Sequence, residues 1–166
     1  MAADAKAAIV AAARTAIGTS RRGSLANMPA IELAKPVVAA VVDRSGLVAG
    51  DFDDLVLAES LQGGGDSARY IAVDLGLTEI PGMAVNRQCA SSLTAIAVGA
   101  GQIASGMSRA ILAGGMESCS TSPLLRKRKP FTTGKAAEDY EDWTPLSHPP
   151  TADAPALDMA ITVAHN

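Results

Sequence analysis

The stretch "GMAVNRQCASSLTAIAVGAGQIASGMSRAILAGG", Gly82–Gly115, decides the fold. It opens on a short apolar run, Gly82–Asn86, that reads as a strand. Cys89 follows. Then comes "ASSLTAIAVGAGQIASG" (Ala90–Gly106), a long run of small apolar residues that reads as a helix. "SRAILAGG" (Ser108–Gly115) is short and apolar again, and reads as a further strand.

The same alternation extends upstream. "DFDDLVLAES" (Asp51–Ser60) holds a strand around Leu55–Ala58. "LQGGGDSARYIAVDLGL" (Leu61–Leu77) is a Gly-rich turn leading into a helix from about Ser67 to Leu75. The "QGGGD" within it lacks both GxGxxG and GxxxxGK[ST] spacing, so a phosphate-cradling loop is weakly indicated. "IELAKPVVAAVVDRS" (Ile31–Ser45) has helical periodicity, with Gly46 as its C-cap and Pro36 expected to bend or delay it. "AAIVAAA" (Ala7–Ala13) is placed as the first strand, although its pattern alone also admits a helix. Arg14–Pro29 reads as loop. Strands alternating with helices argue for a layered α/β domain.

After Cys119 the composition turns to Pro, Thr, Ser, Lys, Asp and Glu. Regular patterning is poor there, so a boundary near residue 120 divides 1–119 from 120–166. The last residues, "ALDMAITVAHN" (Ala156–Asn166), read as the opening of another helix, as though the chain were cut.

The chain has 166 residues, enough for one domain to bury a core. Hydrophobic residues are 48% but aromatics only 3%, so the core must be built from Ala, Val, Leu and Ile. A net charge of -3 favours neither nucleic acid nor an anionic membrane as partner. Two cysteines, Cys89 and Cys119, form neither a metal-site spacing nor a disulfide framework, so a reducing compartment, the cytoplasm, is expected. No run reaches the ~20 apolar residues of a bilayer span. The opening "MAADAKAAIVAAARTAIG" is broken by Arg14 and reads as mature protein rather than a signal peptide.

Cys89 stands where a strand gives way to a helix. Unpaired N–H groups and the positive dipole end at a helix N-terminus stabilise a thiolate. The same N–H groups suit a developing oxyanion. Ala90, Ser91 and Ser92 are small enough for a thioester to approach. Position alone favours an inert core thiol, because free cysteine is among the most buried residue types.

"VNRQCASSLTAIAVGAGQIASGMSRAILAGGMES" (Val85–Ser118) resembles the nucleophile segment of the thiolase family, the acetyl-CoA acetyltransferases. "IVAAARTAIG" (Ile9–Gly18), "GSLANMPAIELA" (Gly23–Ala34) and "LQGGGDSAR" (Leu61–Arg69) resemble other blocks of the same family, in family order. The resemblance implies the N-terminal half of a thiolase: layered α/β, a mixed sheet, and a buried helix after Cys89. It implies that 120–166 begins the family's loop domain. Cys89 is then the catalytic acyl carrier, with acyl-CoA and CoA as substrates and neither cofactor nor metal. The Cys89 N–H contributes to an oxyanion hole. Met159, in "DMAIT", resembles a segment that lines the acyl pocket, with Asp158 and Ala160 departing from the family's His and Gly.

Two departures matter. "CASS" places Ser92 where thiolases often have Gly, which draws the segment toward the β-ketoacyl synthases; the opening block and "GGMES" favour thiolase. More importantly, the family's Gly-His-Pro histidine and Cys-x-Gly cysteine have no match. His148 lies in "SHPP", His165 in the last two residues, and Cys119, without a Gly after it, is expected to be a buried or half-buried structural thiol. The chain alone is therefore expected to be inactive. Its expected partner is a C-terminal thiolase half or a second chain. An uncovered apolar face is expected to drive homo-oligomer formation. A non-catalytic assembly unit of the same fold is the alternative from another class. The run "LLRKRKPFTTGK" (Leu124–Lys135) could meet CoA phosphates, or could pair with the acidic "EDYEDW" (Glu138–Trp143).

Overall fold

The computed structural model describes residues 6–62, 64–131, 133–135, 138–143 and 152. The chain divides into two compact units, Met1–Pro123 and Leu124–Asn166.

The first unit is a layered α/β arrangement. Its elements are α1 (Ala30–Ser45), β1 (Asp54–Glu59), α2 (Ser67–Asp74), β2 (Gly82–Val85), α3 (Ser91–Ala104) and β3 (Ile111–Met116), with a 3-10 turn at Ala49–Asp51 before β1. The three strands form one parallel sheet in the order β2-β1-β3. Ala58 lies opposite Val85 on one side and Gly115 on the other. Among the described residues β2 and β3 pair with β1 alone. The sheet, expected to be mixed, is parallel in every described strand.

Side-chain alternation sorts the strands between two layers. Leu55 and Leu57 of β1 and Leu112 and Met116 of β3 face α1 and α2. There they meet Ala30, Ala34 and Val38, spaced four apart along α1, and Ala68, Ile71 and Ala72 of α2. Leu55 and Ile71 are fully buried; burial of such side chains contributes about 1.5–3 kcal/mol each. The alanines let both helices settle close to the sheet. Lys35 ties them together, 2.7 Å from Glu32 and 2.9 Å from Asp74. Pro36 sits inside α1, and the helix runs through it to the left-handed Gly46.

The opposite face of the sheet carries α3. Gly99 approaches Ile111 so closely that a Cβ there would lie 3.1 Å from the Ile111 side chain. Ser91, Ala95 and Gly99 form the buried stripe of α3. The helix has no charged residue over its length, yet Leu93 is 74% and Ile96 41% exposed. A helix apolar all round ordinarily has cover all round. The buried helix expected after Cys89 is thus present but covered on one face only.

The strand expected at Ala7–Ala13 does not form. Ile9 and Val10 are 81% and 72% exposed, and the stretch pairs with none of the three strands. An extended segment becomes a strand only where a neighbour takes its N–H and C=O groups. Here one carbonyl, that of Ala12, accepts a hydrogen bond from Arg44 at 3.0 Å.

Asp53 clamps the beginning of β1 to that of β3. Its carboxylate accepts from the N–H of Arg109 at 2.6 Å and of Ala110 at 3.3 Å. The Arg109 N–H above all holds the Asp53 carboxyl below the usual carboxylate range. A depressed folded-state pKa stabilises the fold fully above the unfolded value, about 3.9, and loses that contribution as pH falls through the folded value. Asp53→Asn is expected to lower Tm at pH 7, with the gap from wild type closing below about pH 4. Thermal melts across that range check it.

The second unit contains an antiparallel hairpin, β4 (Arg126–Arg128) with β5 (Tyr140–Asp142). The basic and acidic runs pair across it. Lys127 lies 3.1 Å from Glu141 and Arg126 3.5 Å from Asp142. Arg128 donates to the Tyr140 hydroxyl at 2.9 Å and stacks over its ring at 5.5 Å. Neutralisation by neighbours is therefore the observed use of most of this basic run. Buried Asp139 accepts from the N–H and hydroxyl of Thr133 and from the N–H of Gly134. These bonds, the Thr133 N–H first, hold its carboxyl below the usual range.

Among the described residues, no helix is long and apolar enough to cross a membrane.

Candidate active site

Parallel strands end together, and in open α/β sheets ligands bind beyond the carboxyl ends. At that edge β1 is followed by Ser60, β2 by Asn86 and β3 by Glu117. Cys89 lies on the turn that carries β2 into α3, one residue before the N-cap Ala90. Its thiol is exposed and free. Exposure removes the inert-core alternative that position alone had left open.

The turn is tightly built. Gln88 is left-handed, with φ 51°, which is uncommon for a residue with a side chain. The Asn86 side chain accepts from the Gln88 N–H at 2.9 Å, and its amide nitrogen lies 3.4 Å from the Ser60 carbonyl. Small size is the lesser property of Ser91. Its hydroxyl is buried at 1% residue exposure, donates to the Gln88 carbonyl at 2.6 Å and accepts from the Arg87 N–H at 2.6 Å. The Ser60 hydroxyl also reaches the Gln88 carbonyl, at 3.0 Å. The N–H groups of Ala90 and Ser91 close onto the carbonyls of Arg87 and Gln88.

Ser92, the departure from the family pattern, turns toward β3. A Cβ on Gly115 would lie 2.2 Å from the Ser92 hydroxyl oxygen and 2.4 Å from the Ala58 Cβ. The bare glycine backbone is what accommodates serine there. Nearby, the Gln62 side chain donates to Glu117 at 2.7 Å.

Of the other residues singled out in the sequence, Cys119 is exposed rather than buried. It follows Ser118, whose hydroxyl donates to the Met28 carbonyl at 2.9 Å. Met159, His148 and His165 lie outside the described residues. Ser60 and Asn86 join the site without having been marked as site residues in the sequence. The local signals were Asn86 two residues before Gln88 and Ser91 three residues after it, spacings at which Asn and Ser side chains reach nearby backbone, whereas Ser60 had none.

Residues 7–148 match the family model of the thiolase N-terminal domain. The acetyl-CoA acetyltransferase of Shinella zoogloeoides is 42% identical over 118 residues, covering 69% of this chain and 30% of that protein. The acetyl-CoA acetyltransferase of Escherichia coli K12 is 39% identical over 124 residues, covering 73% and 31%. The crystal structure of the Bacillus anthracis acetyl-CoA acetyltransferase superimposes with a TM-score of 0.71 at 34% identity, covering 80% of this chain and 34% of that one. The chain thus spans about a third of the length of the relatives it matches. An exposed cysteine at the β2–α3 turn of a layered α/β unit, with a match over 7–148, identifies the chain as a member of the thiolase family.

Proposed function

We propose that this chain carries the acyl-accepting nucleophile of an acyl-CoA C-acyltransferase. One observation supports the reading above others: the exposed Cys89 stands at a braced strand-to-helix turn inside the segment matched by the thiolase N-terminal domain. The Cys89 thiolate attacks the thioester carbonyl of an acyl-CoA. A new C–S bond forms, and the CoA thiolate leaves and takes a proton. A second acyl-CoA, deprotonated at its α-carbon, then attacks the acyl-enzyme, and the thiolate of Cys89 is released. In reverse, CoA cleaves a 3-oxoacyl-CoA. The Cys89 N–H serves the oxyanion, a role that fits a turn in which the amides of Arg87, Gln88, Ala90 and Ser91 are already committed. CoA enters as substrate, without metal or further cofactor. Met159 is assigned to acyl binding on the family resemblance of its segment alone.

The groups that activate Cys89 and take the α-proton come from a complementary thiolase half or a second chain, with the assembly a cytoplasmic homo-oligomer. Positioned acid–base groups each contribute about 10²–10⁴-fold, so the chain alone does not turn over. A non-catalytic unit of the same fold is the second reading: no histidine is among the described residues to stand beside Cys89.

Alkylation separates the two. Cys89 is expected to react with iodoacetamide faster than a free-thiol peptide below about pH 8. Parity with the peptide overturns the nucleophile. Sustained acetyl transfer between two acetyl-CoA molecules by this chain alone overturns its incompleteness.

A further inference from the structure

The bonds around Cys89 are concentrated on one neighbour. Ser91 is the first residue of α3. A capping hydroxyl at a helix N-terminus normally accepts from amides of the first helical turn. The Ser91 hydroxyl does the reverse and reaches back, accepting from the Arg87 N–H and donating to the Gln88 carbonyl, both at 2.6 Å. Ser60, at the end of β1, supports it from across the sheet edge. Its hydroxyl oxygen is 3.3 Å from that of Ser91 and 3.0 Å from the Gln88 carbonyl. Asn86 holds the Gln88 N–H from the other side at 2.9 Å. Both peptide groups of Gln88 are therefore fixed from within the fold. Gln88 is the left-handed residue immediately before the thiol. Such a conformation persists when surrounding contacts over-determine it.

We propose that Ser91, backed by Ser60, is a positioning residue for Cys89, whose hydroxyl holds Gln88 left-handed and so keeps the thiol at the mouth of α3. The inference rests on Cys89 being the acyl acceptor. Ser91 does not touch the substrate. Its effect passes through the Gln88 backbone to the adjacent Cys89.

The experiment uses the full chain with iodoacetamide as probe and exposed Cys119 as an internal reference. Rates at the two thiols are followed by peptide mass mapping from about pH 6 to pH 9, which brackets an ordinary thiol. Circular dichroism monitors the fold. Ser91→Ala is expected to lower the Cys89-to-Cys119 rate ratio about tenfold, since small misplacements of a reacting group have large kinetic effects. Ser91→Thr, which keeps the hydroxyl, restores most of the ratio. Ser60→Ala gives a smaller drop, and tests the brace if Ser91→Ala fails to fold. Gln88→Asn in the Ser91→Ala background recovers part of the loss, because asparagine tolerates the left-handed region.

A wild-type rate ratio in folded Ser91→Ala overturns the proposal. So does equal loss in Ser91→Thr and Ser91→Ala, which marks a merely structural serine, or an unchanged rate ratio in Ser60→Ala when Ser91→Ala does not fold. Slow wild-type Cys89 is a different failure: the nucleophile reading falls, and this proposal with it.

Discussion

Cys89→Ala is expected to abolish the single, non-turnover acetylation of the chain by excess acetyl-CoA, whereas Cys119→Ala is expected to leave it intact. The expected change is from one acetyl group per chain to none, read by intact mass and by peptide mapping. Both thiols are free and exposed, so accessibility does not separate them. Local surroundings do. Cys89 lies beyond the N-terminus of a 14-residue helix, on a turn whose neighbouring amides are held in place. Cys119 lies in a turn after β3, with the Ser118 hydroxyl bonded to Met28 and Thr121. Because Cys89 is exposed, its truncation should move stability by no more than about 0.5 kcal/mol. Loss of acetylation with an unchanged melt assigns the effect to chemistry. Equal acetylation of both cysteines, or continued acetylation of Cys89→Ala at Cys119 alone, refutes the assignment.

Gly82→Ala is expected to destabilise the first unit by about 1–3 kcal/mol, or to prevent its folding. A Cβ on Gly82 would lie 2.3 Å from the Arg69 nitrogen, 2.5 Å from its Cα and 2.8 Å from the Ala68 carbonyl carbon. These are backbone atoms of α2, not the ends of flexible side chains. Relief therefore requires α2 to lift from β2. That movement disturbs the bonds from the Arg69 guanidinium to the carbonyls of Thr78 and Ile80, at 2.9 and 2.7 Å. It also loosens the packing of Ala68, Ile71 and Ala72. Gly50→Ala is the control, since nothing lies within 4 Å of the added methyl. Urea midpoints of the two variants should differ clearly; similar midpoints rule out the tight contact.

Much of this architecture was legible in the sequence because the signals are local. Gly46 ends α1, the Gly-rich turn leads into α2, and Cys89 falls between strand and helix. What was not legible depends on distant partners. "AIVAA" has strand composition, but composition cannot supply a neighbour, and Ile9 and Val10 stand in solvent. The β4–β5 hairpin has no apolar alternation to announce it. Its cross-strand pairs are charged, such as Lys127 with Glu141. At the site, Cys89 and the helix after it were visible, whereas Ser60 and Ser91 are 31 residues apart and meet only because β1 and β2 end side by side.

The outer side of β3 has a consequence for handling the protein. Ile111–Met116, "ILAGGM", carries neither charge nor proline, and among the described residues it pairs only with β1. Natural sheets usually guard such a margin with lysine, proline or a covering segment, because unpaired amides recruit strands from other molecules. A net charge of -3 gives little long-range repulsion to keep copies apart. Shelf life in solution should therefore depend on the highest concentration the sample has ever reached, and small assemblies formed there would persist as seeds after dilution.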